Sequence, residues 1–257
     1  MSWLLIVSWP LVVPLALLVG VSLGLLGGGG SILTVPILVY AVGIPAKPAI
    51  AASLVVVGVT SAVGALRHAR SGTVAFRVAL LFGATGIVGA WGGSRFVSGR
   101  GVPDAVLLGA FAALMVGVST MMILTRGRPE PPPHGRSVLR ILAGGLLTGF
   151  LTGSLGVGGG FLIVPMLLWV GRLSMHRAIG TSLVVIALNC AAGLAGYAGR
   201  VAIPWKVAVV FAGLGVAGSV LGAAVAARTH PSRLRLGFGV FVLVLGAAML
   251  ADQFTRG

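Results

Sequence analysis

Residues 24–40 read GLLGGGGSILTVPILVY, and residues 153–169 read GSLGVGGGFLIVPMLLW. Laid over one another at an offset of 129, nine of the seventeen positions are identical, among them Gly27/Gly156, Gly29/Gly158, Gly30/Gly159 and Pro36/Pro165. The same offset continues without a gap. AIAASLVV from Ala49 lies over AIGTSLVV from Ala178, with six of eight positions identical. Further on, Gly64 meets Gly193, Arg77 meets Lys206, Phe82 meets Phe211 and Gly93 meets Gly222. Shared apolar composition scatters matches; it does not readily gather Gly, Pro and Ser at one ungapped offset. The chain reads as an internal duplication.

Composition names the environment. The chain has 257 residues, is 58% hydrophobic and only 8% charged, with a mean hydropathy of +1.12. A soluble domain carries about 25% charged residues, so a folded surface of this chain could not be covered by polar groups. It is also too apolar to stay disordered. Ten spans of ~20 residues would use about 200 residues and leave only short loops. This composition is that of an all-α polytopic membrane protein. The eighteen Lys and Arg against three Asp and Glu sit in loops between apolar runs, the pattern of topology signals and lipid headgroup contact, and not of a nucleic-acid face. The N-terminal MSWLLIVSWP has no basic n-region and reads as a retained membrane segment.

Uncharged stretches run from residues 1–46, 48–66, 78–94, 105–125, 141–171, 178–199, 207–227 and 236–251. The first is too long for one span and must fold back. Like the 141–171 stretch, it is interrupted by a glycine cluster. A linker at residues 126–136, RGRPEPPPHGR, holds four prolines and cannot be helical. The domain reading follows: residues 1–125 as a first transmembrane repeat, 126–136 as a Pro-rich cytoplasmic linker, 137–257 as a second repeat.

Each half then holds a broken or re-entrant helix pair and three spanning helices. The segment after each glycine break is about a dozen residues, or ~20 Å at 1.5 Å per residue, short of the ~30 Å hydrocarbon core. The pair ends on the side where it began, and three crossings follow. The half crosses an odd net number of times, so the second half is expected upside down: two inverted-topology repeats, a transporter signature. Six Lys or Arg fall on one side (Lys47, Arg95, Arg100, Arg200, Lys206, Arg256) and twelve on the other. The positive-inside rule places the second side in the cytoplasm and both termini in the periplasm.

The glycine breaks are the sharpest candidates for a site. Unwound backbone at membrane depth must be buried in protein or line a polar cavity. A helix starting there aims free N–H groups and its positive dipole end at that cavity, an anion-binding arrangement. The candidates are Gly27, Gly28, Gly29, Gly30 and Ser31 in the first half, and Gly156, Gly158, Gly159 and Gly160 in the second. Pro36 and Pro165 suit a nearby helix start. Thr60 and Asn189 occupy equivalent positions inside apolar runs, as do Ser53 and Ser182, and these four could complete the site. Thr34, Ser61 and Thr181 are the other polar residues noted in those runs. Interhelical hydrogen bonding is the competing reading for all of them.

The three acidic residues, Asp104, Glu130 and Asp252, all lie at the ends of apolar runs or in the linker. A cation site or carboxylate proton relay needs buried Asp or Glu, so an anion or neutral solute remains. Arg67, His68 and Arg70 end a segment and read first as cytoplasmic anchors; Tyr197 is the counterpart of His68. The single cysteine, Cys190, lies inside an apolar run. No nucleophile–base pair, metal motif or phosphate loop is present, so neither an enzyme nor a cofactor is expected.

The doubled pattern GLLGGGGSILTVP and GSLGVGGGFLIVP, with AIAASLVV and AIGTSLVV, resembles the sulfite exporter TauE/SafE family from about Val12 to Leu250. The resemblance implies an inner-membrane transporter of small sulfur-containing anions, sulfite or a related organosulfonate, working by alternating access between two inverted repeats. Residues 27–31 and 156–160 match the glycine motifs of that family residue by residue. Val157 interrupts the second glycine run, so the two sites need not contribute equally. An anion channel, or an uptake carrier for organosulfur compounds, remains open on the same scaffold. The partners implied are the anion and membrane lipids. Oligomeric state is not legible.

Overall fold

The computed structural model describes residues 9–26, 29–124, 137–156, 160–226 and 231–256; the linker at 126–136 lies outside them. Regular structure among the described residues is helical throughout, without a strand. In chain order the helices are α1 (Trp9–Leu26), α2 (Thr34–Pro36), α3 (Ala46–Arg70), α4 (Phe76–Gly99), α5 (Asp104–Leu124), α6 (Val138–Leu155), α7 (Gly160–Trp169), α8 (Met175–Tyr197), α9 (Trp205–Ala226) and α10 (Pro231–Arg256). Six of them, α3, α4, α5, α6, α8 and α9, contain stretches long and apolar enough to cross a membrane.

The ends of these helices follow local chemistry. Gly72 and Gly199, at φ 68° and 72°, turn the chain after α3 and α8, a conformation that costs glycine little. Ser137 caps α6 by accepting from the Arg140 N–H, as an N-cap serine does. The Asp104 carboxylate opens α5 and also accepts from the Ala46 N–H at 3.2 Å, at the start of α3. This acidic residue therefore serves the free donors of a helix terminus.

The short segments after the glycine clusters are both helical, the first of them irregular. Residues 29–41 run through a 3-10 turn (Gly29–Leu33), α2 and a π-turn (Ile37–Ala41). The π-turn begins immediately after Pro36, whose ring lacks an N–H and crowds the preceding turn. Pro165 lies inside α7. Both prolines sit in mid-segment, and not at the helix start suggested by proline's first-turn preference. The two segments close alike. Val42 N bonds Ile37 O at 3.1 Å, and Gly171 N bonds Met166 O at 3.3 Å. Ile44 N bonds Leu38 O at 3.0 Å, and Leu173 N bonds Leu167 O at 3.2 Å. Between these bonds, Gly43 has φ 75° and Arg172 has φ 46°.

Glycine sets the closest helix contacts. A Cβ on Gly20 or Gly24 of α1 would overlap the carbonyl oxygen of Gly215 or Ser219 on α9. A Cβ on Gly149 or Gly153 of α6 would overlap that of Gly86 or Ala90 on α4. Each residue of the second set lies 129 positions from its partner in the first. In both interfaces residue numbers rise together, so the two helices run parallel. Small residues allow such approach in a membrane, where dispersion and backbone contact replace the hydrophobic effect.

The central pair is α3 and α8. Gly58 lies against Cys190, Gly64 against Leu183, and Gly193 against Leu54. Numbers fall on one helix as they rise on the other, so the pair is antiparallel. On its flanks, α9 packs against α3 and α4 against α8. The α5–α10 pair is also antiparallel, with Gly239 beside Ile123 and Gly246 beside Met115.

Candidate functional site

The C-terminal half of α3 carries polar groups on one face. Thr60 and Ser61, Gly64, Arg67 and His68, and Ser71 follow the three-and-four spacing of a helix stripe. They line a cavity of about 290 Å³, completed by Leu23 and Gly24 of α1, Leu183 of α8, and Ser219 and Ala223 of α9. Arg67 is exposed and His68 partly so, whereas Thr60 and Ser61 are buried. The cavity thus runs from a cationic mouth to a hydroxyl-lined interior.

The hydrogen bonds show which groups remain available. Thr60 Oγ1 donates to Val56 O at 2.7 Å, and Ser219 Oγ to Val216 O at 2.8 Å. The ring Nδ1 of His68 is 2.9 Å from Thr73 Oγ1. Ser61 Oγ, fully buried, has no protein partner. A buried hydroxyl without a partner costs on the order of 1–3 kcal/mol, and Ser61 belongs to the cavity wall with its Oγ beneath the surface. No carboxylate is among the described residues that line that cavity. A guanidinium and a free O–H can hold a small oxyanion through charge-assisted bonds.

Asn189 is the second unsatisfied group. It is 0% exposed, and neither its amide nitrogen nor its oxygen has a protein partner. It packs against Gly86, where a Cβ would overlap its side-chain oxygen. Thr60 relates in the same way to Gly215, where a Cβ would lie 3.1 Å from its Oγ1. The two polar residues at equivalent sequence positions thus flank the α3–α8 pair, Thr60 toward α9 and Asn189 toward α4. Thr34 Oγ1 is also buried without a protein partner.

Of the sequence-predicted residues, Gly27, Gly28, Gly158 and Gly159 lie outside the described residues. Gly29, Gly30 and the buried Ser31 form the 3-10 turn, and that turn contacts α7, which Gly160 begins. Gly156 ends α6 with φ 68°, and its N–H bonds Thr152 O. Ser53 Oγ lies within hydrogen-bond distance of both Ile50 O and Gly156 O. Ser182 Oγ donates to Ile179 O at 2.8 Å. Thr181 Oγ1 accepts from Ala75 N at 2.9 Å, tying the α3–α4 loop to α8.

These residues do not converge on one point. Gly24, three residues before the first break, lies beside Gly64 and Arg67 in the cavity wall. Gly156 abuts Ile50 and Ser53. Ser53 and Gly64 are about 16 Å apart along α3 at 1.5 Å per residue. Thr60 belongs to the first location, Ser53 and Gly156 to the second. Ser61, Gly86 and Gly215 are not among the sequence-predicted site residues, and Arg67 and His68 read first as anchors. The stripe through residues 60, 64, 67 and 71 was the available signal.

Comparison with known proteins agrees with this architecture. The profile of the family described as sulfite exporter TauE/SafE matches residues 12–249. A protein of Xylella fastidiosa named "Probable membrane transporter protein" is 37% identical over 235 residues, 89% of each chain. A protein of the same description from Methanocaldococcus jannaschii is 28% identical over 93% of this chain and 96% of its own. One from Bacillus subtilis is 30% identical over 73% and 78%. No solved structure matches the chain at a significant level. Residues 12–249 span both glycine motifs and all the helices that form the cavity, and the chain belongs to the sulfite exporter TauE/SafE family of membrane transporters.

Proposed function

We propose that this protein exports a small sulfur oxyanion, most simply sulfite, across the inner membrane. The observation that carries the reading is the cavity on α3: a guanidinium at its mouth, an unpartnered hydroxyl buried in its wall, and no carboxylate among the described residues that line it. Arg67 attracts and orients the anion; Ser61 donates to it. Gly24, three residues before the first glycine break, lines the same cavity, and Gly30 and Ser31 are assigned to present backbone N–H groups there. Gly159 and Gly160 serve the equivalent location in the second half, with Ser53 and Ser182 bracing the breaks. Exit of an anion is favoured by a negative interior.

The mechanism proposed is alternating access between two inverted repeats, residues 1–125 and 137–257, joined by a cytoplasmic linker and with both termini periplasmic. Two features support inversion. The equivalent helices α3 and α8 run antiparallel, as do α5 and α10. The α1–α9 interface is reproduced by α6–α4 at the 129-residue offset.

The test is labelled sulfite counterflow in vesicles holding the purified protein, competed with sulfate, sulfoacetate and a carboxylate of similar size. Saturable counterflow preferring sulfite is expected. Flux without counterflow would make the protein a channel. Counterflow of another anion in preference to sulfite would displace the substrate assignment.

A further inference from the structure

The open cavity has a counterpart that the structure shows filled. Moving its wall by 129 positions takes Thr60 to Asn189, Ser61 to Cys190, Gly64 to Gly193, Arg67 to Gly196 and His68 to Tyr197. Leu183 maps back to Leu54. Because α3 and α8 are antiparallel, these residues lie toward the opposite end of the pair. There, Tyr197 is 0% exposed and its hydroxyl donates to Ser154 O at 3.4 Å. Gly196 sits so close to Ser94 that a Cβ would overlap its hydroxyl, and Gly193 packs on Leu54. Cys190 is buried and free. Yet the location retains a fully buried Asn189 amide without a protein partner, the same mismatch that Ser61 shows in the open cavity.

We propose that the Asn189–Tyr197 region is a second ligand cavity, closed here by the Tyr197 ring, and that its opening lets the Asn189 amide donate to the small oxyanion at the far face. The proposal rests on the transport reading above and adds the residues that form and shut the opposite access path. The closed side shows why the two mouths differ. A partly exposed imidazole and an arginine edge the open one, whereas a tyrosine over a glycine can seal the other by packing alone. Asn189 offers both a donor and an acceptor, so it can hold the oxyanion and then relax against Gly86 when the ligand leaves.

Cys190 is the only cysteine in the chain, so thiol labelling reads this region directly. The purified full-length protein is treated with the anionic reagent 2-sulfonatoethyl methanethiosulfonate, and modification is followed by intact mass. In the native protein Cys190 should react slowly, and in Tyr197→Ala about ten-fold faster, as the closed population falls. Ser71→Cys in a Cys190→Ser background should react about ten-fold faster than native Cys190, because Ser71 is exposed on the wall of the open cavity. If folded Tyr197→Ala labels at the native rate while Ser71→Cys labels readily, the second cavity does not exist. Should Tyr197→Ala fail to fold, Tyr197→Leu decides: it removes the ring and keeps an apolar side chain, and an unchanged Cys190 rate there overturns the proposal. The labelling readout contains no sulfite. Failure of sulfite counterflow therefore strikes the substrate assignment alone, and failure of the labelling pattern strikes the gate alone.

Discussion

The Asn189 side chain occupies the volume that a Cβ on Gly86 would fill, so the absence of a side chain on α4 makes room for an amide with no protein partner on α8. A buried amide left unpaired costs on the order of 1–3 kcal/mol, and a protein selected for stability alone would place leucine there. Asn189→Leu is expected to raise the detergent melting temperature and to abolish sulfite counterflow. An Asn189→Leu protein that melts lower, or transports normally, would show that the amide has partners or plays no part. Gly86→Ala should impair transport with Asn189 intact, by displacing the amide.

Arg67 should act through charge and geometry at the mouth. Arg67→Gln is expected to raise the sulfite KM about ten-fold, the loss of one charge-assisted pair, and to flatten its dependence on ionic strength. Arg67→Lys should restore the salt dependence but not the full affinity, since lysine is a point charge without the planar fork. Counterflow at low and high salt distinguishes these outcomes from simple anchoring, which would leave KM unmoved in all three proteins.

The glycines divide into two classes that a melting series separates. Gly24→Ala and Gly153→Ala push a methyl into a carbonyl oxygen of the neighbouring helix, and each should cost about 1–3 kcal/mol. Gly109 and Gly213 are helical and have open space where a Cβ would be. Gly109→Ala and Gly213→Ala should instead stabilise by about 0.5–1 kcal/mol, from the smaller entropy lost on folding. Equal effects in both classes would contradict the helix contacts described above.

Gly43 and Arg172 make the third contrast, at equivalent turns with positive φ. A Cβ on Gly43 meets nothing within 4 Å, so Gly43→Ala isolates the conformational term and should destabilise by about 1 kcal/mol. A Gly43→Ala protein that melts at or above the native temperature would refute the strained turn.

The sequence alone settled the class of the molecule and its internal equivalences. Charge scarcity left a membrane as the only solvent for this much apolar surface. One ungapped offset linked the glycine breaks, the prolines and the Thr60–Asn189 positions, because local backbone demands recur wherever the local fold recurs. Pattern and composition are properties of neighbours along the chain, and a one-dimensional reading reaches that far. It could not say which helices face one another. That Thr60 and Asn189 look away from each other, that Gly24 and Gly156 lie apart along α3, and that Arg67 and Ser61 share a cavity all depend on contacts between distant segments. Nor could it foresee that equivalent positions differ, with His68 at an open mouth and Tyr197 buried. Such differences come from how whole helices pack in one conformation.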